Sequence, residues 1–160
     1  MEALNAIKLA IQMEQKAAEF YRQAAEQTGD TQAREILYRF SSDETKHGQL
    51  LQTLVDNYYI KNNRFDIPEL TVAEYAINKN GPIYGKRMEE LSSQPDPVAA
   101  AVDKFAAAES EAIKLYRKLA RETEDVTLGK FFTKLAGWEE KHLALLKKQA
   151  EVFKNFKQKP

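Results

Sequence analysis

Residues 41–50 read SSDETKHGQL and residues 136–145 read AGWEEKHLAL. Each stretch places a glutamate three residues before a histidine, Glu44 before His47 and Glu139 before His142, and the chain has no other histidine. Thirty residues before each glutamate stands another, so Glu14, Glu44 and His47 recur as Glu109, Glu139 and His142 at a constant offset of 95. Glutamate and histidine are first-choice ligands for iron, manganese and zinc. On a helix, residues three apart share a face, so each Glu-x-x-His projects as a pair. The pattern points to a metal site built by duplication.

The resemblance between the halves extends around these residues. Ala17/Ala112, Tyr21/Tyr116, Arg22/Arg117, Ala25/Ala120, Thr28/Thr123, Asp30/Asp125 and Lys46/Lys141 match without a gap. This is an internal repeat of two copies, fewer than a solenoid needs.

Periodicity predicts helix almost throughout. Over 3–28, Ile7, Ala10, Glu14, Ala17, Tyr21 and Ala24 share one face, with Gly29 as the expected C-terminal stop. Over 31–61, Leu37, Phe40, Glu44, His47, Leu51 and Leu54 step by three and four. A third helix over 97–123 is expected to open with Asp96 as N-cap and Pro97 at its first position. Its inner face is Val102, Phe105, Glu109, Ala112 and Tyr116. The fourth, over 126–156, carries Leu128, Phe132, Leu135, Glu139, His142, Leu146 and Phe153. Between them, 62–95 holds Pro68, Gly81, Pro82, Gly85 and Pro95 and reads as a long crossover with two short helices near 71–79 and 83–92.

The 30-residue spacing suits this arrangement. With a turn near Gly29–Asp30, Glu14 and Glu44 each lie roughly 22 Å from the turn at ~1.5 Å per residue, so an antiparallel hairpin brings them level. A turn near Glu124–Asp125 does the same for Glu109 and Glu139. Two such hairpins packed face to face converge four carboxylates and two imidazoles about a pseudo-two-fold axis. All six occupy core positions of apolar faces, where ionisable groups are rare unless paired or metal-bound. Four carboxylates sum to −4, which an interior does not accept uncompensated, and two divalent cations cancel it. A single zinc does not balance the charge.

Composition narrows the partners. In 160 residues, Lys+Arg and Asp+Glu each number 24, and no basic stripe of a nucleic-acid binder appears. Cysteine is absent, which removes disulfides, thiolate zinc sites, iron–sulfur clusters and cysteine nucleophiles. No stretch approaches the ~20 apolar residues of a membrane span. The start MEALNAIKLAIQMEQ lacks the pattern of a signal peptide. The expectation is one soluble, cytoplasmic domain over 1–160.

A glutamate from each of two helices with Glu-x-x-His from each of the others is the ligand pattern of di-metal carboxylate bundles. The sequence resembles the ferritin-like superfamily, especially rubrerythrins and bacterioferritins. Asp43-Glu44-Thr45-Lys46-His47 and Glu139-Glu140-Lys141-His142 look like its second and fourth helices, and Tyr21 and Tyr116 follow Glu14 and Glu109 by seven as in its first and third. The resemblance implies an all-α, ferritin-like four-helix bundle of two antiparallel hairpins, about 3–61 and 97–156, joined by the crossover 62–95. It implies Glu44 and Glu139 as ligands bridging two irons, with Glu14 and His47, and Glu109 and His142, as terminal ligands.

Departures shape the expected chemistry. Rubrerythrins usually append a cysteine-rich rubredoxin domain and carry an extra glutamate where this chain has Ala112. Bacterioferritins bind haem through a methionine where this chain has Thr45, so no haem is expected, and the short fifth helix of cage ferritins looks missing. The resemblance therefore implies a non-haem di-iron oxidoreductase reducing peroxide or dioxygen, oxo-bridged when oxidised and re-reduced by an external electron donor, as in oxidative-stress defence. Manganese suits the same ligands. Ferroxidase action linked to iron storage, or metal binding without catalysis, are the alternatives. A homodimer is expected, with helix exchange between subunits as one form of it.

Further residues carry two readings each. Tyr21 and Tyr116 either hydrogen-bond a ligand from the second shell or simply pack. Ala17 and Ala112 either leave room for a small molecule or fill helix positions. Asp43 orients a histidine or, since its repeat partner is Trp138, serves no such role.

Overall fold

Thr28-Gly29-Asp30 and Thr123-Glu124-Asp125 reverse the chain in the same way. The computed structural model describes residues 2–61, 64–66 and 97–157. Four helices fill them: α1 over Glu2–Gln27, α2 over Thr31–Ile60, α3 over Pro97–Glu122 and α4 over Val126–Lys157. Among the described residues there is no strand. At the first turn the Thr28 amide still bonds Ala24, the Asp30 amide donates to Thr28 Oγ1 at 3.2 Å, and Asp30 Oδ1 accepts from the Ala33 amide at 2.8 Å. At the second, Thr123 bonds Leu119, the Asp125 amide donates to Thr123 Oγ1 at 3.3 Å, and Asp125 Oδ1 accepts from the amides of Thr127 and Leu128 at 2.8 and 3.0 Å. The paired Thr and Asp of the repeat are thus a turn-and-cap device that satisfies the open amides of the next helix.

Gly29 corrects one expectation. Its backbone is not left-handed, so it is not a glycine-specific helix stop. Glu124 occupies the matching place in the second turn, which shows that any residue suits the geometry. Asp30→Ala and Asp125→Ala are each expected to cost about 1 kcal/mol. Thermal unfolding should record that as a fall of about 2–4 °C apiece.

α1 packs on α2 and α3 on α4, and α1 also meets α3. Two apolar layers close the bundle. Toward one end Ile7, Ala10, Leu51, Leu54, Leu119, Leu128 and Phe132 pack together, joining the start of α1 and α4 to the end of α2 and α3. Toward the other, Ala24, Ala33, Leu37, Phe40, Val102, Phe105 and Leu146 do the same with the helix ends reversed. Hence α1 runs antiparallel to both α2 and α3, and the end of α2 lies at the opposite end of the bundle from the start of α3. A tight turn cannot join such ends, which is why the connection is long. The two short helices expected near 71–79 and 83–92 and the Asp96 cap lie outside the described residues, as does the side chain of Phe153. None of the described helices is long and apolar enough to cross a membrane.

Between the two apolar layers sits a polar one. Glu14, Glu44, His47, Glu109, Glu139 and His142 are 0–4 % exposed. Six ionisable side chains are thus as deeply buried as the apolar layers that flank them.

Candidate metal centre

Helical phase aims these side chains inward. Glu44 and His47 come from one face of α2, Glu139 and His142 from one face of α4, and Glu14 and Glu109 from the middles of α1 and α3. The contacts obey a two-fold rule. His47 Nδ1 lies 2.8 Å from Glu139, 3.3 Å from Glu44 and 3.7 Å from Glu14. His142 Nδ1 lies 2.8 Å from Glu44, 3.3 Å from Glu139 and 3.7 Å from Glu109. Each histidine thus faces the glutamate of its own helix, the one on the opposite helix and the one from its own hairpin.

Donor atoms fall into two groups, each within 4.8 Å of one another: Glu14, Glu44, His47 and Glu139 in one, Glu44, Glu109, Glu139 and His142 in the other. Glu44 and Glu139 belong to both. One chain supplies all six. Several of these atoms are buried without any hydrogen bond, namely Glu44 Oε1, both oxygens of Glu139 and His142 Nδ1. His142 Nδ1 and Glu44 Oε1 are 2.8 Å apart yet not aligned to bond. Buried polar atoms are rarely left unbonded. A donor set of oxygens and imidazole nitrogens, orphaned and facing one another, fits cations.

The tyrosines connect the hairpins. Tyr21 donates its hydroxyl hydrogen to Glu109 and Tyr116 donates to Glu14, so each phenol holds the carboxylate of the other half. Burial, and then the charge of Glu109, push the Tyr21 hydroxyl well above its ordinary value, which keeps it a donor. The hydrogen-bonding alternative for these residues is therefore the one the structure adopts, with the partner reversed between hairpins.

The outer faces of the histidines differ. His142 lies against Phe40 at 4.3 Å, tilted by 31°, and points Nε2 toward Asp43 Oδ2 at 3.6 Å. His47 stacks on Trp138 at 5.0 Å, nearly parallel. Asp43 and Trp138 occupy matching positions of the repeat, so the pseudo-symmetry breaks just outside the donor set.

Protonation shows what the cluster costs without cations. Burial, then the neighbouring Glu44, raise Glu14 and push Glu109 up to about 7, with the histidines opposing. Burial also pushes Glu44 up, but the charge of His142 and the hydrogen bond of His47 reverse it, leaving that carboxyl below the usual range. Burial alone would lower both histidines; Glu139 beside His47 and Glu44 beside His142 raise them well above 6.5.

The sign for stability follows by linkage. A carboxyl or imidazole raised in the folded state contributes stability that is complete below its unfolded value and is lost as pH climbs through the folded one. Glu109 therefore stops contributing between about 4.5 and 7, and the histidines above 6.5. Glu44, being lowered, contributes above 4.5 and loses that contribution in acid. Calorimetry of the metal-free protein should show its melting temperature falling between pH 6 and pH 8. Bound cations should flatten that slope, because they take deprotonated ligands.

Residues 2–55 match the family model for rubrerythrin. The first hairpin is rubrerythrin-like. The match spans α1 and most of α2, including Glu14, Glu44 and His47, and the 95-residue repeat places the same residue types in the second half, which the match does not cover. No curated protein and no solved structure gave a match. The partial match to the rubrerythrin model and the buried carboxylate–histidine cluster together fit a di-iron site.

A cavity of about 390 Å³ between α1 and α3 reaches this centre, with Glu14, Glu44, Glu109 and Tyr21 at its floor. Sequence reading did not anticipate its size or the part of Phe20 in its wall. The only signal was the small pair Ala17 and Ala112.

Proposed function

We propose that this protein is a non-haem di-iron oxidoreductase that reduces peroxide or dioxygen. The observation that supports this reading best is the sharing of Glu44 and Glu139 between two donor groups related by a two-fold. In this reading Glu44 and Glu139 would be shared by the two ions, Glu14 and His47 would complete the ligands of one, and Glu109 and His142 those of the other. When bound, two ferrous ions supply two electrons and Lewis acidity for the reduction. The chain's own groups hold the geometry. Tyr21 and Tyr116 fix the Glu109 and Glu14 carboxylates by donated hydrogen bonds, and each therefore ties a terminal ligand to the opposite hairpin. Apolar layers above and below exclude water. The cavity between α1 and α3 brings the oxidant to the carboxylates. A separate donor restores the ferrous state, since the chain has no cysteine with which to build a redox centre of its own.

Anaerobic titration with Fe(II), followed by stopped-flow mixing with hydrogen peroxide and separately with air-saturated buffer, tests the reading. The expected result is two irons per chain and growth of near-ultraviolet absorption with one oxidant faster than with the other. Full loading without oxidation by either would sink the redox reading and leave a metal-binding protein. Iron accumulating far beyond two per chain would favour storage.

A further inference from the structure

The cavity is too large for the oxidants named so far. Its volume is about 390 Å³. A water-sized molecule takes roughly 30 Å³. Its walls are apolar, with Ala17 and Phe20 from α1 and Phe105 and Ala112 from α3, and the rim carries Met13 and Ala108. Its buried polar groups converge at the floor, on the carboxylates of the centre, while Lys16 and Glu111 stand at the exposed mouth. Such a division, an apolar chamber with a few polar groups at one end, is that of a site for an organic molecule with one polar head.

Its position is set by the repeat. Positions 13, 14, 16 and 17 of α1 line it with their counterparts 108, 109, 111 and 112 of α3, so it lies across the pseudo-two-fold axis and touches a carboxylate of each donor group, Glu14 and Glu109. Symmetry is broken at the wall. Phe20 and Phe105 meet edge to face at 4.8 Å and shape one side, and their repeat counterparts, Leu115 and Ala10, do not line the cavity. A head group at the floor would lie between the two sets of ligands, while its hydrocarbon part rests on rings and methyl groups.

We infer that the cavity binds an organic hydroperoxide, with the peroxide group at the carboxylate floor and the hydrocarbon group against Phe20 and Phe105. This rests on the di-iron reading and names its substrate class. The balanced step is ROOH + 2 Fe(II) + 2 H⁺ → ROH + H₂O + 2 Fe(III). The O–O bond breaks and takes one electron from each ferrous ion. The oxygen on carbon leaves as the alcohol, the outer oxygen leaves as water, and the two protons come from solvent.

The test uses the full chain. Protein loaded anaerobically with Fe(II) is mixed in single turnover with cumene hydroperoxide or with hydrogen peroxide. Zinc-loaded and metal-free protein are titrated with the alcohol product, 2-phenyl-2-propanol, and followed by saturation-transfer NMR. The alcohol should bind both forms, and cumene hydroperoxide should oxidise the iron. Ala108→Phe and Met13→Trp narrow the rim from opposite sides without touching a donor atom. Each should abolish the alcohol's signal and slow cumene hydroperoxide at least about tenfold more than hydrogen peroxide. Two irons per chain in each variant shows that it folds. An alcohol signal absent from the unmodified protein, or unchanged in both variants, overturns the proposal. Oxidation by hydrogen peroxide but not by cumene hydroperoxide also overturns it while sparing the di-iron reading; oxidation by neither overturns both.

Discussion

Glu44→Ala is expected to reduce anaerobic iron binding from two ions per chain to less than one, and Glu139→Ala to do the same. Either residue stands in both donor groups, so one substitution removes a ligand from each ion at once. Glu14→Ala and Glu109→Ala form the contrast. Each belongs to a single group, and its loss should leave about one tightly held ion. Even changes outside the ligand set commonly weaken metal affinity by about 10–100-fold; loss of a shared carboxylate should exceed that at both positions. Glu140→Ala supplies the control. Glu140 is adjacent in sequence to Glu139 but pairs with Arg117 at 2.7 Å on the exposed surface, where it touches no donor atom. Competition against a chelating dye, read per chain, separates the three classes. Equal losses from Glu14→Ala and Glu44→Ala would show that the carboxylates do not divide into shared and terminal roles.

Much of this was legible from spacing. The 95-residue offset named all six donors, and a period near 3.6 put them on the inner faces of four helices, because both facts depend only on order along the chain. The turn positions near Gly29–Asp30 and Glu124–Asp125 were legible too, whereas the capping by Thr28 and Asp30, and by Thr123 and Asp125, emerged only from the structure. Contacts between hairpins were a different matter. Tyr21 follows Glu14 by seven residues, which implies a reach back toward the ligand level but not whose ligand it meets. The answer depends on the register of α1 against α3. In that antiparallel pair residue 21 stands opposite 109 and 14 opposite 116, so both phenols cross over. The cavity was hidden for the same reason. Ala17 and Ala112 show that side chains are small there, but the empty volume depends on the separation of α1 and α3, which no single helix encodes.

The second large effect is on stability. Removing the cations leaves four buried carboxylates with only hydrogen bonds and partial protonation to offset their repulsion, and the upward shift of Glu109 to about 7 marks that cost. An ion that binds the folded chain alone, at a thousand times its dissociation constant, stabilises it by about 4 kcal/mol. Two such sites give about 8 kcal/mol, and for a chain of this size each kcal/mol raises the melting temperature by about 2–4 °C. Loading with Fe(II) under argon, or with zinc as a redox-silent substitute, should therefore raise melting by about 15–30 °C, and a chelator should reverse it. Glu44→Ala should lose nearly all of that gain. Surface pairs such as Arg22 with Glu19 and Glu26 cannot account for a gain of that size, because those groups are half exposed and such pairs contribute about 0–1 kcal/mol. A gain of only a degree or two would mean that cations do not reach the buried slab, and the six side chains would then need another explanation for their burial.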